Sequence, residues 1–238
     1  NWPNVANINP AAFVDALFQT HLYKGTSAEQ TITNGIDLTK GGLVWGKARS
    51  TAEKNWLVDS ERGKGSNNNF VYMESSETTG NIDESGRSLS SFNSNGFTIQ
   101  DGSDSQFNNS SHTYCSWTFR KQPKFFDVVT YTGNGSNRTI AHNLGTTVGM
   151  MLVKLTSGTD GWAVYHRGVD NSAPEDYRLR LDGTNARIDN TDGSRWNRTA
   201  PTSSVFSLGT DGSVNANGET YVAYLFAHNN DDGGFGEP

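Results

Sequence analysis

The chain states nearly the same pattern twice. Tyr23-Lys24-Gly25, followed by Thr31-Ile32, returns as Tyr131-Thr132-Gly133, followed by Thr139-Ile140. Leu43-Val44-Trp45-Gly46-Lys47 returns as Met150-Met151-Leu152-Val153-Lys154, and Phe97-Thr98-Ile99 as Phe206-Ser207-Leu208. Trp56-Leu57-Val58, closed by Arg62-Gly63, returns as Trp162-Ala163-Val164, closed by Arg167-Gly168. Tyr114-Cys115-Ser116-Trp117-Thr118-Phe119 returns as Tyr221-Val222-Ala223-Tyr224-Leu225-Phe226. These blocks keep their order at offsets between 105 and 109, which defines a domain-sized tandem duplication and not a solenoid of short units. Each copy, at roughly 105 residues, is near the commonest domain size and large enough for a core of its own. The expected organisation is an N-terminal arm over 1–12, a first unit over 13–120, a linker over 121–124, a second unit over 125–228 and a tail over 229–238. Phe235 falls where a third unit would begin, so the tail is read as an end or as the start of a further unit.

The repeated blocks read as strands. Trp56 and Val58 alternate with less apolar neighbours, as do Trp162 and Val164, the period of a half-buried strand. Turn dipeptides separate the runs: Gly41-Gly42, Asn95-Gly96, Asp182-Gly183, Asp192-Gly193 and Asp211-Gly212. Only 18% of residues are charged and 26 are glycine. Short strands with turns of this chemistry predict an all-β chain of two tandem antiparallel β-sandwiches, jelly-roll or lectin-like. In the last strand of the first unit, Cys115, Trp117 and Phe119 are read as facing inward and Tyr114, Ser116, Thr118 and Arg120 as facing water. The matching Tyr221, Ala223 and Leu225 are apolar, so that face is expected to be covered, by the first unit, another subunit or a neighbouring segment. Pro10 could open a helical turn presenting Ala12, Phe13, Ala16 and Leu17. A linker as short as Lys121-Gln122-Pro123-Lys124 implies a fixed pose of the two units.

Several function classes are disfavoured. A formal charge of −6 gives no basic footprint for nucleic acid. The single cysteine, Cys115, is read as a small buried residue. No apolar run is long enough to insert in a membrane, and Asn1-Trp2-Pro3-Asn4 has neither the basic nor the apolar region of a signal peptide.

No His/Cys spacing suits zinc and no Asp ladder suits calcium, so neither metal nor cofactor is expected. The carboxylate pairs Asp83-Glu84 and Glu175-Asp176 are adjacent and would point apart on a strand, which argues against a glycosidase. Lys47/Lys154 and Arg62/Arg167 recur, and are read as long side chains that cover strand ends and bond loop carbonyls. Trp196 is the sharpest lone feature, set in Asp192-Gly193-Ser194-Arg195-Trp196-Asn197-Arg198. A sugar site needs an aromatic face with polar neighbours, so Trp196, with Arg195, Asn197 and Asp192, is the candidate glycan-binding set. The competing reading is that Trp196 anchors the sandwich.

Blocks such as Tyr131-Thr132-Gly133-Asn134-Gly135-Ser136, Ile140-Ala141-His142-Asn143-Leu144-Gly145, Trp162-Ala163-Val164-Tyr165-His166-Arg167 and Val205-Phe206-Ser207-Leu208-Gly209 resemble a β-sandwich repeat domain found in tandem in virion proteins of marine tailed phages. The likeness is closest in the second unit; the first lacks a counterpart of Trp196. The resemblance implies a virion-surface location and a structural or adhesive role, in a tail fibre or similar appendage. It implies as partners other copies of the chain, a trimer among the options, other virion proteins, and a host-surface glycan. It supplies no catalytic residue. The alternatives are a capsid or tail decoration protein without a ligand, and a polysaccharide depolymerase.

Overall fold

The computed structural model describes residues 14–100, 102 and 104–228. The arm over 1–12 and the tail over 229–238 therefore lie outside the described residues, as do Pro10, Ala12 and Phe13. A single 3₁₀ turn, Val14–Ala16, leads to the fully buried Leu17.

The first half contains β1 (Phe18–Lys24), β2 (Gln30–Thr33), β3 (Gly42–Ala48), β4 (Trp56–Asp59), β5 (Met73–Glu74), β6 (Leu89–Asn93), β7 (Gly96–Ile99) and β8 (Thr113–Arg120). They form a large sheet, β1-β8-β3-β4-β5, and a small one, β2-β7-β6. The second half contains β9 (Phe126–Thr132), β10 (Arg138–Ala141), β11 (Val148–Leu155), β12 (Ala163–His166), β13 (Tyr177–Arg178), β14 (Ile188–Asp189), β15 (Val205–Leu208) and β16 (Thr220–Ala227), with one helical turn, α1 (Gly212–Asn215). Its large sheet is β9-β16-β11-β12 and its small one β10-β15, with a β13-β14 ribbon. Over the strands they share the two halves follow one order, the first half adding β5 and β6, and the ladders of the described sheets are antiparallel.

Each large sheet has buried apolar residues on both faces. In the first half Ile32, Val44, Trp56, Val58, Phe97 and Tyr114 fill the space between large and small sheet. Ile140, Met151, Val153, Tyr165, Phe206, Tyr221, Ala223 and Leu225 do so in the second. A third cluster joins the halves, with Leu43, Leu57 and Met73 from one and Val128, Leu152, Trp162, Val222 and Tyr224 from the other. The layers therefore run small sheet, large sheet, large sheet, small sheet. A strand apolar at both phases must be covered on both sides.

This layering meets one expectation and corrects two. Tyr221, Ala223 and Leu225 are covered, by their own half's small sheet, while the opposite phase, Val222 and Tyr224, meets the first half. Ser116 and Thr118 do not face water; both are 0% exposed, and Thr118 Oγ1 accepts from Asn34 Nδ2 at 2.8 Å. Phe119 and Phe226 are only partly buried and lie between the halves, 5.4 Å apart edge to face.

Register corrects the tryptophan match. Gly46 pairs with Trp56 in the first half, and Val153 pairs with Ala163 in the second. The positional equivalent of Trp56 is therefore Ala163, and Trp162 stands one residue earlier, on the other face, because a one-residue shift inverts a strand. Size compensates within each pair: a Cβ on Gly46 would lie 2.0 Å from the Trp56 ring, whereas Val153 faces the small Ala163.

The segment between the halves is held at both ends. Lys121 N–H donates to Gly41 O, Lys124 N–H to Leu144 O, and Phe126 N–H to Gln122 O. Lys121 Nζ reaches Glu61 at 2.9 Å and Asp127 at 3.4 Å.

Candidate functional site

The repeat is most exact at the strand ends. Tyr23 stacks on Tyr114 at 5.0 Å, and Tyr131 on Tyr221 at 5.2 Å. Tyr114 Oη donates to Ser105 O and accepts from Asn109 N–H; Tyr221 Oη donates to Gly212 O and accepts from Ala216 N–H. Asn108 accepts from Thr26 N–H and donates to Ala28 O and Gln100 O. Asn215 accepts from Asn134 N–H and donates to Ser136 O and Gly209 O. Each asparagine is about 1% exposed or less and pins one loop end to the sandwich. Both lie six residues before the paired tyrosine, a spacing that would have revealed them in the sequence. These are frame residues, satisfied within the chain.

A second buried polar group locks the halves together. Tyr224 Oη donates to Asp59 Oδ2 at 2.6 Å, and Arg62 Nε to the same oxygen at 2.5 Å. Burial pushes the Tyr224 phenol well above its usual range. Arg62 is opposed by burial but raised by the Asp59 carboxylate, with a net upward shift. Trp162 Nε1 donates to Glu74 O at 3.2 Å. Lys154, 0% exposed, donates to the carbonyls of Thr78, Leu155 and Asp160 at 2.8, 3.2 and 2.9 Å, and burial brings its ammonium down to about 8. Lys47 likewise donates to Glu53 O. The recurrent lysines thus bond loop carbonyls, whereas Arg62 is buried and Arg167 exposed.

The candidate set at Trp196 is corrected. Its ring is 1% exposed and belongs to the second half's core. Its Nε1 donates to Tyr177 O at 3.0 Å, and Tyr165 meets it edge-on at 6.2 Å. A ring so enclosed offers no face to a sugar. Asp192 Oδ1 accepts from Ser194 N–H, Asn197 Oδ1 from Asn137 Nδ2, and Arg195 pairs with Asp211. The polar neighbours hold the loop that inserts the ring.

Two other features remain open. The first is an aromatic shelf on the first half's large sheet. Trp45 and Trp117 are direct cross-strand partners on β3 and β8, both half-buried. With Phe119 and Asn55 they line a shallow cleft of about 310 Å³. Leu22, on the same face of edge strand β1, is 57% exposed. Trp45 Nε1 and Asn55 Oδ1, a donor and an acceptor, are buried just beneath and unpaired. The shelf is the part of the face between the halves that the second half does not cover.

The second is a polar cleft of about 480 Å³ in the second half, walled by Tyr165, Arg167, Ser172, Glu175, Pro201 and His228, among others. Asp170, in its wall, is fixed: Ser172 and Ala173 N–H groups and the Arg187 guanidinium hold its carboxyl well below the usual range. Among the described residues no group of three or more His, Cys, Asp or Glu side chains converges as a metal site, and no helix is long and apolar enough to cross a membrane.

The molecule is thus an all-β stack of antiparallel sheets whose halves repeat one topology. The chain belongs to the DUF7483 family, a domain of unknown function whose model matches residues 15–236 and so runs through both halves. No curated protein and no solved structure matches it.

Proposed function

We propose that the chain is a structural and adhesive component of a tailed-phage virion, part of a tail fibre or similar appendage, with host-surface glycan as its ligand. The Trp45/Trp117 shelf carries this reading. Two indoles side by side on a rigid sheet offer a flat apolar platform, the surface that the C–H face of a pyranose ring stacks on. The sequence resemblance to tandem virion domains supplies the context. A single shallow site binds at about millimolar strength, roughly −4 kcal/mol, so attachment rests on many copies acting together. The test is Trp117→Ala in a multivalent display of the full chain, assayed for attachment to host cells. The variant is expected to stay folded and lose attachment; undiminished attachment would sink the reading.

One observation favours a second use of the same shelf. Its lining is apolar apart from Asn55, which also suits a second copy of the chain or another virion protein, as in a decoration protein. Sedimentation separates the two: oligomers that dissociate in Trp117→Ala and bind no glycan favour assembly. A reducing-sugar assay on host polysaccharide tests the depolymerase alternative.

A further inference from the structure

We infer that the cleft over Tyr165 is a saccharide site for one neutral pyranose unit, held through vicinal hydroxyls. This deepens the adhesive reading and shares its ligand class, but it lies in the other half of the molecule and uses none of the shelf residues. A cleft of about 480 Å³ falls within the usual range for small-ligand sites, roughly 300–1,000 Å³.

Its floor is Tyr165, 2% exposed, whose hydroxyl has no hydrogen-bond partner among the described residues. A buried ring whose only polar atom opens into a cleft without a partner is ready for a ligand oxygen. Of the other phenols in or against the cores, Tyr23, Tyr114, Tyr131, Tyr221 and Tyr224 donate within the chain, and Tyr72 is engaged by the Arg87 guanidinium. Arg167 and Glu175 line the same cleft, and among the described residues neither side chain makes an ion pair or hydrogen bond. Their neighbours are committed: Asp170 to Arg187 at 2.7 Å and Asp176 to Arg198 at 3.0 Å. What remains is one guanidinium donor fork, one carboxylate acceptor and one hydroxyl, with proline rings alongside for C–H contact.

That set matches a polyol. A vicinal diol donates to a carboxylate and accepts from a guanidinium. Glu175 stands against a sugar carboxylate, which would approach Arg167 at the cost of like-charge repulsion. The site is built once: the register that aligns Met151–Tyr165 with Val44–Val58 places Val58 where Tyr165 stands.

The experiment is a protein-observed NMR titration of the full chain with methyl glycosides of glucose, galactose and mannose, and with glucuronate as the charged comparison. Concentrations reach about 50 mM, well above the millimolar range of one shallow site. We expect at least one neutral glycoside to shift the amides of Gly168, Asn171, Ser172 and His228, and to bind more tightly than glucuronate. Tyr165→Phe keeps the ring and the core, and should weaken binding about five-fold, the loss of one hydrogen bond; Glu175→Gln should weaken it at least as much. Shifts of amides around Trp45 and Trp117 would report the shelf, and should saturate independently of those at the cleft. No cleft shift with any of the three, equal shifts in both variants, or tighter binding of glucuronate would overturn the assignment. Saturable binding here with no attachment to host cells would instead count against the adhesive reading alone.

Discussion

Trp56 and Trp162 read as one residue repeated, yet they serve opposite faces of their sheets. Trp56 lies in the core of the first half, stacked on Phe107 at 4.7 Å with its Nε1 donating to Gln106 O. Trp162 lies between the halves, near Tyr224 and bonded to Glu74 O. Equivalent ladder positions, not equivalent letters, decide which side of a sheet a ring fills. The comparison teaches that this chain repeats its backbone and varies its packing. A Gly–Trp pair in one half does what a Val–Ala pair does in the other, and the displaced indole becomes the anchor of the shared core.

The largest effect tests that assignment. Trp162→Ala should cost roughly 3–5 kcal/mol, as large-to-small changes in a packed core do, and should lower hydrogen-exchange protection in the large sheets of both halves. Trp56→Ala should cost as much, with the loss of protection centred on the first half. If Trp162→Ala loosens only the second half, the central cluster does not couple the two.

Next come the asparagine plugs, where the halves are alike. Asn108→Ala and Asn215→Ala each remove three hydrogen bonds at one loop end, and each should cost about 1–3 kcal/mol. Denaturant midpoints that fall equally would show that the frame is repeated in energy as well as in geometry; a two-fold difference between them would break the parallel.

Much of this frame was legible in the sequence. The blocks around Tyr23/Tyr131, Val44/Met151 and Tyr114/Tyr221 stand at equivalent strand positions, and the all-β class followed from alternation and turn chemistry. Face assignment failed at Ser116 and Thr118: Thr118 is buried against the polar Asn34, and Ser116 is small enough to be buried with its hydroxyl unpaired. The site was harder. Trp196, set among polar residues, admitted both a glycan-facing and a core-anchor reading; those neighbours bond one another and the loop drives the ring into the core. Tyr165 stood within a quoted block without distinction, and Arg167 stood out only as the repeat of Arg62. What marks them is that Asp170 and Asp176 are taken by Arg187 and Arg198, pairings that cross gaps no local pattern reveals.

Tyr224 and Trp117 sharpen the contrast, since register places them at equivalent positions, opposite Leu152 and Trp45. Tyr224→Phe leaves the Asp59–Arg62 pair with one partner fewer in a buried setting and should cost about 1–2 kcal/mol. Trp117→Phe, on the open shelf, should change stability by less than about 0.5 kcal/mol. Equal effects in urea titrations would mean that the shelf is covered in solution.

The last effect is read in pH and concerns Lys154, which the first half caps through Thr78 O. Its folded-state pKa is lowered to about 8 by burial, against about 10.4 in an unfolded chain. Between those values the unfolded state binds more protons, so stability should rise as pH increases through the window; below pH 8 both states are protonated and the dependence vanishes. Cys115 and Tyr224 act in the opposite sense: burial raises both, so the unfolded chain loses their protons first and stability falls above about pH 9 to 10. The lysine is therefore best read between pH 8 and 9, where its contribution should be about 1 kcal/mol. Lys154→Met removes that term and keeps the others. Subtracting the variant's urea-derived stability from the parent's at each pH should leave a rising difference confined to the window. A flat difference for Lys154→Met would show that its three carbonyls hold the ammonium charged as firmly as water does.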